Sequence, residues 1–506
     1  MRSGSTDLRM RALRRKIQVA LPVLPGVAVF SVLWSWSYAR LDPSEISRVA
    51  LDTYMQNLPR AALVDQPVQS LTSIHTQPPL MTAVNIFNLS VSPTSHMLLF
   101  LLLFIASATT ICLVVSTAQR CGLSPRVSSL TGVLYALLPS TVIYSFLPRG
   151  TIVVALGCTI IIWATTYAAT HPVFASLVTG TGLLILYLTR PTFSWVFAAL
   201  WIMLLLVLIF RRHSEIGKRI GALLTVGAFV LLIAVVQIHY ARTFGLVTTS
   251  SWAGQNLAKA LSLSGWMEVP EGTLEAIEKQ GLCDYSLVTS LLRDGQPNDV
   301  WDLEKSRQLP GCNELLRDQS SDVLAIGLAS KAAQGSESVN LNSLPHLELS
   351  RAWLRIMMQV LEDNPLQILS MATSSGSGPS GSGFALYLSP PQSYFGVSQQ
   401  SAAIPAPIHI LGGLIALVLS PGALLIGTAA IFSIFLQRPR RFSTPQVVLI
   451  ASWTLILYHL SVSVLLEYGE NMRYQVEVLP VLVLMGCIGV KQLAESSTSL
   501  TREPKV

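Results

Sequence analysis

Three carboxylates follow the first apolar segment of the chain, at Asp42, Glu45 and Asp52. Asp42 is followed by Pro43 and then by Glu45, which is the pattern of a helix start: a capping aspartate, proline at the first position and glutamate three residues after the cap. A carboxylate held there can orient an acceptor hydroxyl or amine and remove its proton. The sequence leaves open whether Asp42 only caps or also catalyses, and which of the three carboxylates is the base.

His75 precedes the Pro78-Pro79 pair and could contact a phosphate. His75 could also bind a metal, but no second ligand lies at a suitable spacing. A single histidine in a polar loop is more often a solvated residue. The sequence therefore predicts no definite cofactor and leaves open whether a divalent metal assists.

Three arginines, Arg149, Arg190 and Arg473, fall at the ends of apolar segments, where they could surround one anionic group. Arginine suits a phosphate because its planar guanidinium stays charged and binds two oxygens at once. For Arg149 we favour a side chain that extends to the membrane interface. For Arg473 we favour a function, because it shares a helical face with Glu470 and Glu477, and charges near a membrane are costly unless they are paired or used.

The segments that position these residues are strongly apolar. The chain of 506 residues is 51% hydrophobic and 12% charged, with a mean hydropathy of +0.53, which excludes an ordinary soluble protein. Runs of about 18 or more apolar residues can cross a bilayer core of about 30 Å. Ten are predicted, at 17–38, 97–118, 127–147, 151–170, 173–189, 192–210, 219–240, 408–436, 445–466 and 475–490. The predicted fold class is an all-α polytopic membrane protein, and His239 and His459 are interpreted as hydrogen-bonded histidines of its helix bundle.

The distribution of basic residues predicts the orientation in the membrane. Residues 1–16 are rich in arginine, which places the N-terminus in the cytoplasm. Alternation from there puts the other basic clusters, at 120–126, 211–219, 438–441 and 491–505, on the same side. The net charge of +7 is therefore a topology signal and not a nucleic-acid surface. We expect an uncleaved, multi-pass protein of the plasma (inner) membrane with both termini in the cytoplasm.

The predicted domains are a cytoplasmic basic tail at 1–16, a transmembrane core at 17–240, an extracytoplasmic domain at 241–407, C-terminal transmembrane helices at 408–492 and a cytoplasmic tail at 493–506. The core includes an extracytoplasmic catalytic loop at 39–96. The large domain is predicted to be mainly helical, with its strongest amphipathic pattern at 346–362. It contains Cys283 and Cys312, for which we favour a disulfide outside the cytoplasm over two unpaired thiols. Asn88-Leu89-Ser90 has the form of a glycosylation sequon on the outer side.

The order of these motifs resembles the GT-C class of integral-membrane glycosyltransferases, which includes protein O-mannosyltransferases and lipid A aminoarabinose transferases. Asp42 matches the acidic position of that class, Pro78-Pro79-Leu80 its proline motif, Thr189-Arg190-Pro191 a basic-proline element, and Asn471-Met472-Arg473-Tyr474 an Arg-Tyr element. The resemblance covers roughly 17–210 and 445–490, and the loop at 241–407 matches nothing in the class. Two features depart from it: the acidic pair is spread over Asp42 and Glu45, and Gln77 stands where many relatives have lysine.

The resemblance implies a GT-C-like bundle of about ten transmembrane helices with an outer juxtamembrane helix. It implies transfer of a sugar from a polyprenyl-phosphate donor to a glycan, lipid or protein acceptor outside the cytoplasm. Asp42, Glu45 or Asp52 would act on the acceptor. The residues that would bind the substrate are His75, Gln77, Arg149, Arg190, Arg473 and Tyr474.

Two other functions are compatible with the pattern. A polymerase or ligase of the O-antigen kind also has many spans and a large late loop, but its chemistry would centre on 241–407, whereas here the acidic residues lie in the first loop. A secondary transporter is disfavoured because the segments show no two-half symmetry and carry few charges.

Overall fold

The computed structural model describes residues 21–40, 58, 60–91, 97–147, 150–212, 215–252, 256–257, scattered positions between 347 and 365, 406–437, 442–466 and 471–500. At some helix ends, including 471–474, only the backbone is described. All regular elements in these ranges are helical, which confirms the all-α class predicted from the sequence. Their order along the chain defines the labels used below.

The helices are α1 (Leu24–Tyr38, preceded by a 3-10 turn at Leu21–Val23), α2 (Arg60–Asp65), α3 (Pro67–Ser73), α4 (Leu80–Val91), α5 (Met97–Arg120), α6 (Pro125–Ala136), α7 (Pro139–Tyr144), α8 (Thr151–Thr165), α9 (Pro172–Thr189), α10 (Trp195–Arg212), α11 (Ile216–Phe244), α12 (Ala406–Gln437), α13 (Thr444–Leu466) and α14 (Asn471–Leu500). Seven of those described are long and apolar enough to cross a membrane, namely α1, α5, α9, α11, α12, α13 and α14. Three shorter ones, α4, α8 and α10, are also apolar. The polytopic character expected from the hydropathy is therefore confirmed.

One segment departs from the continuous span predicted at 127–147. It forms two helices, α6 and α7, which are separated at Leu137 and Leu138. Pro139 has no N–H for an intrahelical hydrogen bond and disfavours helical geometry at the residue before it. Leu138 accordingly adopts an extended backbone with ψ of 120°. Hydropathy alone could not reveal this break, because both halves are apolar.

The centre of the bundle is formed by α8 and α14. Both contact several other helices, α8 lying against α5, α9, α13 and α14. From Val476 to Met485, α14 is buried around its whole circumference, as expected of a helix that is apolar on all sides. The backbones of α8 and α9 approach closely at Gly182, where an added Cβ atom would lie 2.6 Å from Ile161. This close packing brings the start of α8 beside the end of α9.

A short helix, α4, occupies part of the loop predicted at 39–96. Its Asn88 is fully buried, and the carboxamide oxygen accepts a hydrogen bond of 3.0 Å from the backbone N–H of Leu99. That N–H lies in the first turn of α5 and has no intrahelical acceptor. Asn88 therefore serves as a cap for α5, and its burial makes the sequon interpretation wrong, since an acceptor asparagine must be exposed.

Candidate functional site

Several residues predicted to act at the site lie outside the described part of the chain. They are Asp42, Glu45, Asp52, Arg149, Cys283 and Cys312. Arg473 and Tyr474 belong to the first turn of α14, but their side chains also fall outside the description. The roles assigned to all eight stay predictions. The described site residues from the sequence are His75, Gln77 and Arg190.

Arg190, at the end of α9, forms a buried polar network with residues from three other helices. Its Nε donates to Oε1 of Glu477 at 2.9 Å, and its Nη2 donates to the hydroxyl of Thr151 at 3.3 Å. The second carboxylate oxygen of Glu477 lies 3.1 Å from Nε2 of His459. The side chains of Glu477 and His459 are fully buried. Three ionisable groups from α9, α13 and α14 thus meet at one place.

Local sequence explains why the network forms at the helix ends. Arg190 directly follows α9 with an extended backbone, and the next residue is Pro191, which disfavours helix at the position before it. Thr151 opens α8 immediately after Gly150, whose φ of +75° is the left-handed conformation that glycine adopts readily. The hydroxyl of Tyr458 donates to the carbonyl of Thr192 at 2.7 Å and holds α13 against the same loop.

The charges in the network constrain its protonation. A guanidinium does not lose its proton in proteins, so the adjoining carboxylate of Glu477 compensates a permanent buried charge. An ionised carboxylate only accepts hydrogen bonds, and Nε2 of His459 must therefore carry a proton when it contacts Glu477. The ring of Phe193 packs against that of His459, with 5.4 Å between the two ring centroids. The network holds Arg190 in one orientation inside an apolar surrounding.

His75 lies in a second hydrogen-bonded cluster. Its side chain is fully buried, so the interpretation as a solvated loop residue is wrong. Nδ1 of His75 lies 2.9 Å from the hydroxyl of Ser251, and the backbone N–H of Ser251 donates to the carbonyl of His75 at 2.7 Å. Ser250 donates to the carbonyl of Thr76 at 2.7 Å. The loop that carries His75 is thus bound to the segment that follows α11.

The C-terminal end of α11 contacts the same loop. The hydroxyl of Tyr240 donates to the carbonyl of Ile74 at 3.1 Å, and the ring of Phe244 packs 5.2 Å from that of His75. Gln77 is half-buried, and its carbonyl receives a weaker hydrogen bond of 3.5 Å from Tyr240. These contacts fix the backbone of the loop at Gln77. His239, one residue before Tyr240, places Nε2 3.0 Å from the carbonyl of Thr72, which agrees with its interpretation as a hydrogen-bonded histidine.

Three described residues from the predicted domain at 241–407 also contact this cluster. Leu347 packs with Tyr240 and Phe244, Ser350 donates to the carbonyl of Ser251, and Arg351 donates to the carbonyl of Phe244 at the end of α11. The described positions from 347 to 362 are helical, as the amphipathic pattern at 346–362 predicts. These polar contacts join residues about a hundred positions apart and could not be predicted from the sequence.

The two clusters are neighbours. An added Cβ atom at Gly150 would lie 2.7 Å from Thr189 and 3.1 Å from Met81. Thr189 precedes Arg190, and Met81 follows the loop of His75 closely in the chain. The arginine network and the histidine loop therefore share one end of the bundle. Within the described ranges, no three His, Cys, Asp or Glu side chains come together in a way that could hold a metal ion.

The fold and this site define a multi-pass helical membrane protein with a buried ionic network at one end. No protein-family model matches the chain, and no curated protein matches it either. Among solved structures, the chain is similar to ArnT from Cupriavidus metallidurans bound to undecaprenyl phosphate, at 14% identity over 96% of this chain and 82% of that one, with a TM-score of 0.32. It is also similar to ArnT from Cupriavidus metallidurans in the apo state, at 15% identity over 89% and 77%, with a TM-score of 0.31.

Proposed function

We propose that this protein is a membrane glycosyltransferase that moves a sugar from a polyprenyl-phosphate donor to an acceptor on the outer face of the membrane. The observation that carries the proposal is the buried guanidinium of Arg190, oriented by Glu477 and Thr151 at the end of the bundle. A fixed cation in an apolar surrounding is suited to the charge of a phosphate at the level of lipid headgroups.

The reaction requires one base and one site for the departing phosphate. The acceptor oxygen or nitrogen attacks the anomeric carbon, the bond from that carbon to the phosphate oxygen breaks, and the acceptor proton passes to a carboxylate. Asp42 is our candidate for that carboxylate, with Glu45 and Asp52 as alternatives. The lipid phosphate leaves with the bonding electrons, and Arg190 stabilises the negative charge that it gains.

The other predicted site residues complete the headgroup site in this proposal. Arg473 and Tyr474 begin the helix that carries Glu477, which places them one turn from the network in sequence. His75 and Gln77 belong to the neighbouring loop, where His75 acts from a fixed ring position. Arg149 lies two residues before Thr151 in sequence. The acceptor is a glycan, a lipid or a protein.

The test is transfer of labelled sugar from a polyprenyl-phosphate donor by purified protein. Arg190→Lys keeps the charge but removes the planar fork, and we expect kcat to fall by about a hundredfold, as for loss of one group that stabilises a developing oxyanion. Arg211→Lys, an exposed arginine at the end of α10, is the matched control and should leave kcat unchanged. Equal rates for the wild type and Arg190→Lys would refute the role of Arg190.

The base is tested separately by Asp42→Asn, which we expect to abolish transfer while expression and folding are retained. Near-normal turnover in that variant would move the assignment to Glu45 or Asp52. Alanine substitutions in 241–407 that abolish activity while Asp42→Asn does not would favour the polymerase or ligase alternative.

One observation favours a second candidate, a proton-coupled secondary transporter. Glu477 and His459 form a buried carboxylate–histidine pair between helices, and such pairs serve as proton relays in membrane transporters. Reconstituted liposomes with a pH-sensitive dye inside discriminate the two functions. Substrate-dependent proton movement without any sugar transfer would favour the transporter, whereas transfer without proton movement would exclude it.

A further inference from the structure

The short helix α4 has apolar side chains on its exposed face and polar side chains on its buried face, which is the reverse of an amphipathic helix in a water-soluble protein. Phe87 and Val91 are 54% and 60% exposed, whereas Thr82 and Asn85 are only 2% and 1% exposed. At twelve residues α4 is about 18 Å long, too short to cross a bilayer core of about 30 Å. An apolar outer face and a polar inner face are what a helix needs when it borders hydrocarbon on one side and a polar space inside the protein on the other.

The polar face of α4 contains two groups without a hydrogen-bond partner. The hydroxyl oxygen of Thr82 and the carboxamide oxygen of Asn85 are buried and contact no donor or acceptor among the described residues. Asn88, one turn further along, is in contrast used as the cap of α5. A buried polar group that lacks a partner costs about 1–3 kcal/mol, so such groups are few in native proteins and call for a ligand or water.

Thr82 and Asn85 belong to a helix whose first turn lies near the arginine network. A Cβ atom added at Gly150 would lie 3.1 Å from Met81, the residue before Thr82, and 2.7 Å from Thr189. Thr151 and Arg190, the next residues in each case, are hydrogen-bonded to each other. The first turn of α4 therefore lies near Thr151 and Arg190, where the proposed function puts the donor phosphate.

We propose that Thr82 and Asn85 form the subsite for the sugar of the lipid-linked donor and bind its hydroxyl groups. A threonine hydroxyl and an asparagine carboxamide are neutral and can both donate and accept, as sugar hydroxyls do. Phosphate oxygens only accept and are better matched by Arg190. The outward face of α4 lies against the lipid chains, so the helix separates the sugar from hydrocarbon. This inference rests on the proposed function, because it assumes a donor whose phosphate lies at Arg190.

The experiment compares two probes, undecaprenyl phosphate alone and undecaprenyl phosphate that carries glucose, mannose or aminoarabinose. Their affinities are measured for purified wild type, Thr82→Val and Asn85→Leu. Both substitutions remove the polar group at nearly constant volume. We expect each to weaken the binding of at least one glycosylated probe about tenfold, the effect of one neutral hydrogen bond left unmade, while undecaprenyl phosphate alone binds within about twofold of wild type.

Two controls keep the result interpretable. Ser90→Ala removes a hydroxyl from the exposed side of the same helix and should change no affinity. The Tm of the ligand-free variants should not fall, because each loses a buried polar group that has no partner.

Three outcomes would overturn the inference. Unchanged affinities of Thr82→Val and Asn85→Leu for every glycosylated probe would mean that the two groups are satisfied by water only. Equal losses of affinity for the glycosylated and the bare lipid would mean that Thr82 and Asn85 contact the phosphate or are needed for folding. A wild type that binds neither kind of lipid would refute the proposed function and this subsite with it, whereas the first two outcomes leave the proposed function intact.

Discussion

Removal of the charge on Glu477 should destabilise the protein through Arg190. In Glu477→Gln the side chain keeps its shape and one acceptor oxygen 2.9 Å from Nε of Arg190, but it no longer neutralises the guanidinium. Loss of one member of a buried ion pair costs about 3–5 kcal/mol, and a charged hydrogen bond accounts for about 1.5–3 kcal/mol. Because the amide preserves part of the hydrogen bonding, we expect the free energy of unfolding to fall by about 2–4 kcal/mol.

A double-mutant cycle isolates the pair. Arg190→Met should cost about 3–5 kcal/mol, since it leaves Glu477 buried without its cation. The double variant Arg190→Met/Glu477→Gln contains neither charge and should be more stable than the sum of the single effects predicts, by about 2 kcal/mol or more. Unfolding in mixed micelles with increasing SDS, followed by fluorescence of the ten tryptophans, measures each free energy.

The exposed pair Lys218 and Glu215 is a matched control. Its atoms are 2.7 Å apart, as close as those of the buried pair, but the side chains are 45% and 65% exposed. An exposed pair of this kind contributes at most about 0.5 kcal/mol. If Arg190→Met and Glu477→Gln have additive effects like those of the control pair, the two side chains do not depend on each other, and the account of Arg190 given above is wrong.

Two further predictions concern residues away from the network. Burial raises the pKa of Cys121 to about 12, although the nearby Lys491 and Arg120 lower it in part. In a variant that retains Cys121 alone, the native thiol should therefore react with maleimide at pH 8 about a thousandfold more slowly than after denaturation in SDS, and rapid native labelling would contradict its burial. Asn88→Ala should lower the free energy of unfolding by about 1 kcal/mol through loss of the cap on α5, whereas Ser90→Ala should change it by less than about 0.5 kcal/mol. Equal effects of the two would argue against the cap, and mass spectrometry should find no glycan on Asn88.

Hydropathy predicted most of the helices because a helix that crosses the membrane must be apolar over about 18 or more consecutive residues. It failed at 127–147, where a local backbone effect at Pro139 breaks a segment that is uniformly apolar. Hydropathy also missed α4, because a helix of twelve residues is too short to be recognised as a span. The spacing of Thr82, Asn85 and Asn88, three residues apart among apolar neighbours, was the available signal for a helix with one polar face.

Of the residues in the arginine network, the sequence selected only Arg190 as a candidate site residue, through its basic-proline motif. Glu477 entered the sequence argument only as a residue on the same helical face as Arg473, and Thr151 was not singled out. Nothing in a single sequence joins Arg190 to Glu477, because they are 287 positions apart and meet only through the packing of α9 against the rest of the bundle. His459 was correctly interpreted as a hydrogen-bonded histidine, but its partner could not be named for the same reason.

Two hydrogen bonds, from Arg351 to the carbonyl of Phe244 and from Ser350 to the carbonyl of Ser251, close a stretch of about a hundred residues at the end of α11. Leu347 packs at the same place, against Tyr240 and Phe244. For a flexible connection, the entropic cost of closure rises by only about 0.6 kcal/mol for each doubling of its length. The length of the stretch between these two contacts can therefore change at a small cost in free energy while the packing at the end of α11 is retained.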